Sequence, residues 1–201
     1  MYFRKVIIFS FSLLVFSCKR SIDYYQVSTF SDRNHLNAII EIPAGTNKKF
    51  EYNNNTKSFE IDKKDGRDRV IAFLPYLGNY GFIPSTFSDP KKGGDGHALD
   101  VLVLSESVQT GVIIETIPIA ILRLIDDGEI DDKIIAIPSN SKNQIISARN
   151  YRQLSQNYPE IKLMIELWFL NYNKSDEVKI ESWGTEIEAL KEIQNTRNKN
   201  G

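Results

Sequence analysis

Residues 75–104, PYLGNYGFIPSTFSDPKKGGDGHALDVLVL, decide how the rest of the chain is read. The first part, Pro75 to Pro84, is punctuated by Gly78 and Gly81 between prolines, so it reads as a turning loop that presents Tyr76, Asn79 and Tyr80. The last part is a Gly-Gly-Asp-Gly turn leading into Asp100-Val-Leu-Val-Leu, an apolar β-branched run with the character of a buried strand. A carboxylate at the head of a buried strand, with another at Asp95, is costly unless a cation neutralises it. Acids and glycines at a strand mouth suit a hard, oxygen-seeking ion such as Mg²⁺. Asp-Gly is also an ordinary hairpin turn, so Asp95 alone decides nothing.

Upstream, Leu36 to Pro43 (LNAIIEIP) reads as a strand with Glu41 set among isoleucines. Phe50 to Tyr52 and Ser58 to Asp62, joined by an Asn-rich turn, read as a hairpin on which Lys49 and Glu51 share one face. Arg69 precedes the short run VIAF that feeds the 75–104 segment. Downstream, Val112 to Leu124 and Ile134 to Pro138 are strand-like and flank the acidic turn Asp126 to Lys133 (DDGEIDDK). After about Asn140 the period changes. Ile161, Met164, Ile165, Trp168, Phe169 and Tyr172 recur at helical spacing, and their stripe is read as core packing. Thr185 followed by Glu188 forms a capping-box pattern that opens a last helix, Glu186 to about Thr196. Short strands followed by two helices predict a mainly β, α+β fold, a closed or nearly closed β-barrel with C-terminal helices packed on it.

The chain has 201 residues, 41% hydrophobic and 11% aromatic, enough for a packed core. Lys+Arg number 25 against 26 Asp+Glu, so the basic excess of a general nucleic-acid binder is missing and no nucleic-acid partner is expected. The front end has a different composition. Arg4 and Lys5 precede Val6 to Ser17 (VIIFSFSLLVFS), an apolar run with the length of a signal-peptide core and too short to span a bilayer comfortably. It ends at Val15-Phe16-Ser17-Cys18, which resembles a bacterial lipobox, and Cys18 is the only cysteine. The expected organisation is a lipoprotein-type signal over 1–17, a polar tether over 18–31 and one domain over 32–198. An exported protein held at a membrane only by a lipid on Cys18 follows from that reading, and a cytoplasmic one if the signal is not processed.

The charged groups interleave along the chain: Glu41, then Lys49 and Glu51, then Arg69, then Asp95 and Asp100, then Asp126, Asp131 and Lys133. Carboxylates mixed with lysine, arginine and phenols are the inventory for chemistry on a phosphate held by divalent ions. The segments IIEIPAG, KFEY, DR…PYLGNYGFIPST, GGDG…LDVLVL, DDGEIDDK and WFLNY, spanning Leu36 to Trp183, resemble in order and spacing the family I soluble inorganic pyrophosphatases. The resemblance implies a five-stranded barrel of OB type, hydrolysis of diphosphate to two orthophosphates with Mg²⁺, and a homo-oligomer. It implies that Asp95, Asp100, Asp126 and Asp131 are metal ligands and that Glu41 and Glu51 bind metal-bound water or an additional metal. Lys49, Arg69 and Lys133, with Tyr80 and Tyr172, would hold phosphate, and Tyr76 would hydrogen-bond within the site.

Two positions depart from the family pattern. His97 stands where the family carries a third aspartate that helps activate the attacking water; imidazole suits Zn²⁺ or Co²⁺ better than Mg²⁺, yet it can take a proton. Asn173 stands where the family carries a phosphate-binding lysine. Catalytic roles thus fall to His97, Asp95, Asp100 and Tyr76, with Mg²⁺ as the cofactor and Mn²⁺, Zn²⁺ or Co²⁺ as alternatives. A second reading, an inactive relative that still binds metal and phosphate, rests on the same two departures.

Overall fold

A computed structural model describes residues 22–197; the signal, Cys18 and the start of the expected tether lie outside them. The strands are β1 (Leu36–Ile42), β2 (Phe50–Asn53), β3 (Ser58–Ile61), β4 (Lys63–Lys64), β5 (Arg67–Asp68), β6 (Asn79–Phe82), β7 (Asp100–Val103), β8 (Ile113–Asp126), β9 (Glu129–Ile130), β10 (Lys133–Pro138) and β11 (Val178–Thr185). The α-helices are α1 (Tyr151–Asn157), α2 (Pro159–Asn171) and α3 (Glu186–Thr196). Five strands close a ring: β1 pairs β6, β6 pairs β7, β7 pairs β10 in parallel, β10 pairs β8, and β8 returns to β1. Beyond that ring, β9 and β11 pair with the far end of β8. The expected mainly β, five-stranded arrangement with packed helices is therefore the one observed.

The central strands read as unbroken apolar runs because both their faces are covered. Val101, Val103, Ile134 and Ala136 join one buried cluster with Ala189 and Ile193 of α3. Leu102, Leu104, Ile135 and Ile137 join another with Leu154 of α1 and Ile165, Trp168 and Phe169 of α2. The capping box is present as read, with Thr185 and Glu188 bonding reciprocally at the start of α3.

Four expectations need correction. The 75–84 segment is not all loop, since Asn79–Phe82 is a ring strand. A Cβ on Gly81 would lie 1.9 Å from the Ile39 carbonyl oxygen, so only glycine allows β1 and β6 to approach this closely. Five elements escaped the sequence reading: β11, whose apolar residues are interrupted by charges, the short helix α1, and the two-residue strands β4, β5 and β9. Within the α2 stripe Met164 is 54% exposed, and Leu163, Leu167 and Leu170 join it on the outer face. Finally, residues 22–31 do not form a free tether. The Lys57 ammonium donates to Asp23 at 2.6 Å, the Thr29 hydroxyl donates to the Pro84 carbonyl at 3.0 Å, and Tyr24, Tyr25 and Val27 pack with Tyr52, Phe59 and Phe82.

Candidate active site

At the strand mouths the register slips between β1 and β6: Ile40 pairs Gly81 and Ile42 pairs Tyr80, leaving Glu41 as the bulged residue. Glu41 is thereby buried against the hairpin, its Oε1 accepting from the Tyr52 N–H at 2.7 Å. Burial pushes its carboxyl up to about 8, and nearby Asp100 and Glu51 act in the same direction. The two acidic turns are locked side by side, because the Ile130 N–H donates to the Gly93 carbonyl at 2.7 Å. Within the first turn, the Asp95 Oδ1 accepts from the His97 N–H at 2.9 Å.

Lys133 opens β10 directly opposite Asp100 in the parallel β7–β10 pair. The residue is 3% exposed, and its ammonium donates to Asp100 Oδ2 at 2.6 Å and also to Asp131 Oδ1. The Tyr80 hydroxyl donates to the same Asp100 oxygen at 2.5 Å. Burial works to lower the Lys133 pKa, but Asp100 and Asp131 outweigh it and hold the ammonium well above the lysine norm. Asp131 is pushed up to about 6 by burial, with Lys133 pulling against it and Asp100 adding to it.

At the β2–β3 hairpin, Lys49 meets Glu51 at 2.7 Å and Asp62 at 3.8 Å, while Arg69 donates to Asp62 at 2.7 Å. The two cations are thus held together by Asp62, a residue that no motif singled out. An aromatic wall closes the floor. Trp168 stacks on Tyr172 at 4.9 Å and 10°, and Tyr76 lies 4.6 Å from Trp168 and 5.2 Å from Tyr80, ring to ring. The Trp168 indole N–H, shared between the Leu74 and Pro75 carbonyls at 2.9 and 3.1 Å, anchors α2 to the 75–84 segment.

All the expected site residues line one cavity of about 410 Å³: His97, Asp95, Asp100, Tyr76, Lys49, Arg69, Tyr80, Lys133, Tyr172, Asp126, Asp131, Glu41 and Glu51. The cavity also draws in Tyr25, Asp127, Glu129 and Asp176, which sequence reasoning did not assign. Asp127 and Glu129 lay in the acidic turn already quoted, whereas Tyr25 and Asp176 carry no local signal. His97 is exposed at the rim. Asn173 does not face the cavity as a cation would; its amide donates to Asp176.

The donor set fits a hard divalent cation. Nine carboxylates and three cationic side chains line the cavity, although the chain as a whole is nearly neutral. One oxygen each from Asp126, Asp127 and Asp176 lies within 4.8 Å of the others. Asp126 Oδ1 is buried with no hydrogen-bond partner among the described residues, while its Oδ2 accepts from the Tyr172 hydroxyl at 3.3 Å. Burial and the Asp176 carboxylate raise the Asp126 pKa, an unfavourable state that a bound cation would relieve.

The model for the family "Inorganic pyrophosphatase" matches residues 38–200. A protein of Neisseria meningitidis named inorganic pyrophosphatase is 35% identical over 178 residues, covering 86% of this chain and 93% of its own length. A namesake from Saccharolobus solfataricus is 33% identical, covering 80% and 89%. The crystal structure of an inorganic pyrophosphatase from Neisseria gonorrhoeae superposes with a TM-score of 0.71 at 34% identity, over 87% of this chain and 96% of that one. With the match running through every cavity-lining segment from Glu41 to Asp176, the chain belongs to the family I soluble inorganic pyrophosphatases, proteins with a barrel of OB type that depend on divalent metal ions.

Proposed function

We propose that this protein is an inorganic diphosphatase that hydrolyses diphosphate to two orthophosphates in the cavity bounded by Glu41, Arg69, Asp100 and Lys133. The observation that carries the reading is the convergence of carboxylates and cations from six separate segments on one pocket. When bound, Mg²⁺ neutralises the charged anhydride and lowers the pKa of an attacking water. Asp95, Asp100, Asp126 and Asp131 are the residues that would hold it, with Glu41 and Glu51 orienting further ions or their waters. Lys49 and Arg69 grip phosphate oxygens from one wall. Lys133, kept protonated between Asp100 and Asp131, faces them and stabilises charge on the departing phosphate. Tyr80 and Tyr172 are neutral donors, because burial raises both phenols well above their ordinary pKa. Tyr76, equally buried, holds the aromatic wall in place.

The inactive-relative reading has no support, since every expected site residue is present and oriented into the cavity. The two departures instead modulate activity. His97 provides an exposed imidazole where a carboxylate would help deprotonate the water, so Mg²⁺-supported turnover is lower and Mn²⁺, Zn²⁺ or Co²⁺ competes better. Phosphate release from diphosphate, assayed metal by metal on the wild type and on His97→Asp, tests both statements. No release with any metal from folded protein overturns the function, and an unchanged Mg²⁺ rate in His97→Asp overturns the role of His97.

The setting follows the same reading. Cys18 carries a lipid that holds the protein at a membrane after export, which a Cys18→Ser variant should release into the soluble fraction. Among the described residues no helix is long and apolar enough to cross a membrane. The exposed row Leu163, Met164, Leu167 and Leu170 on α2 is the face on which a second copy would pack, and sedimentation of Leu167→Glu against wild type tests that assembly.

A further inference from the structure

One cavity residue is supplied by neither the barrel nor its hairpins. Tyr25 lies in the 3₁₀ turn Tyr24–Gln26, ahead of the segment matched by the family model, yet it lines the cavity together with Glu41, Glu51 and Asp100. Its position is well determined. The ring packs 4.8 Å from Phe82 and 5.3 Å from Tyr52, centroid to centroid. Its carbonyl accepts from the Ser85 N–H at 3.2 Å and from the Ser85 hydroxyl at 3.3 Å, and Ser85 also donates to the Val27 carbonyl at 2.9 Å. Ser85 holds this place with a φ of 56°, an uncommon conformation for a residue other than glycine. Two further contacts clamp the segment: Lys57 pairs with Asp23, and the Tyr52 hydroxyl donates to the Ile22 carbonyl at 3.0 Å.

A tyrosine clamped for packing alone would not need its hydroxyl in a charged pocket. The Tyr25 ring packs on Phe82, and the cavity it lines also holds Glu41, Glu51 and Asp100. A phenol can donate one hydrogen bond there. Among the described residues no hydrogen bond involves its hydroxyl, whereas Tyr80 and Tyr172 both donate to carboxylates of the site. Tyr25 lines the same cavity as Lys49 and Glu51, which pair at 2.7 Å.

We infer that Tyr25 is a substrate-contacting residue: its phenol closes the Glu41–Glu51 side of the cavity and donates a hydrogen bond to a phosphate oxygen of bound diphosphate. This rests on the proposed diphosphatase reading and adds to it a wall built from the segment that precedes the barrel. The geometry makes a clean test available, because Tyr25→Phe keeps the ring contacts to Tyr52 and Phe82 and removes only the donor. With Mg²⁺, Tyr25→Phe should raise KM for diphosphate about 10- to 100-fold, the worth of one hydrogen bond to a charged acceptor, with kcat changed less than about 2-fold. Calorimetric titration with methylenediphosphonate, a non-hydrolysable diphosphate analogue, should show the same loss of affinity and reads the contact independently of turnover. Lys57→Ala, which breaks the ion pair to Asp23 outside the cavity, is the control for a loosened segment and should leave KM and analogue affinity unchanged. Wild-type affinity and KM in Tyr25→Phe would overturn the inference, as would an equal loss in Lys57→Ala. A wild type that binds the analogue but releases no phosphate would overturn the catalytic reading and leave the Tyr25 contact to be judged by the titration.

Discussion

Around Asp100 the cavity contains its own cation; around Asp126 it does not. Asp100 and Asp131 share the Lys133 ammonium, and Asp100 also accepts from the Tyr80 hydroxyl, so this half carries a compensating cation before anything binds. Asp126, Asp127 and Asp176 gather their oxygens at the rim with no lysine or arginine among their hydrogen-bonding partners, and one Asp126 oxygen is orphaned. The difference follows from depth. In the interior an unpaired carboxylate costs several kcal/mol, so a protein cation must be present at all times. At the edge, water tempers the repulsion and a ligand cation can be left to complete the site.

The largest expected effect comes from removing the built-in cation. Lys133→Met leaves the partly buried Asp100 and Asp131 carboxylates without their cation, and urea denaturation should show a loss of about 2–4 kcal/mol, while phosphate release falls by about two to three orders of magnitude. The contrast can also be titrated. Glu41 and Asp131 ionise near 8 and 6 in the folded protein but near 4 in an unfolded chain. The native state therefore keeps protons that the unfolded state has released, and metal-free protein should lose stability as pH rises from about 4 to 8. Melting temperatures of chelator-treated protein should fall across that window, and Glu41→Gln should flatten its upper part. Added Mg²⁺ should stabilise more at pH 8 than at pH 5, since the carboxylates must be ionised to bind it.

Asp176→Asn should behave in the opposite way to Lys133→Met. Relieving repulsion at Asp126 should leave the metal-free protein as stable as wild type or slightly more so, within about 0.5 kcal/mol, while the melting-temperature gain on adding Mg²⁺ shrinks. A drop in metal-free stability of Lys133→Met size would show that both halves are held in the same way. The smallest effect belongs outside the cavity. Ile187→Lys, on the exposed face of α3, should change turnover less than about 2-fold and stability by under about 0.5 kcal/mol.

How much of this was legible beforehand depends on the kind of signal each residue carries. Asp95, Asp100, Asp126, Asp131 and Lys133 sit in short runs whose glycines, acids and following apolar strands announce both turn and chemistry. Asp62 and Asp176 sit beside other charges, Lys63 and Glu177, with no glycine turn or apolar strand to mark them, and nothing local separates them from a solvated surface charge. Asn79–Phe82 was misread because glycine usually breaks strands, whereas here Gly81 is the residue that lets two strands touch. The 22–31 segment looked like a tether because it follows the apolar front end with no strand or helix period of its own, but its tyrosines meet the aromatic face of the β2–β3 hairpin.

By itself the sequence determined four of the five barrel strands (β1, β7, β8 and β10), the capped last helix and the chemical inventory of the site, because alternation, capping and turn chemistry act over a few residues at a time. Only the tertiary structure decided that β8 closes the ring onto β1, that a bulge turns Glu41 inward, and that Tyr25 reaches the cavity. Those outcomes depend on distances between residues far apart in the chain, set by which faces can be buried together, and no local pattern encodes them.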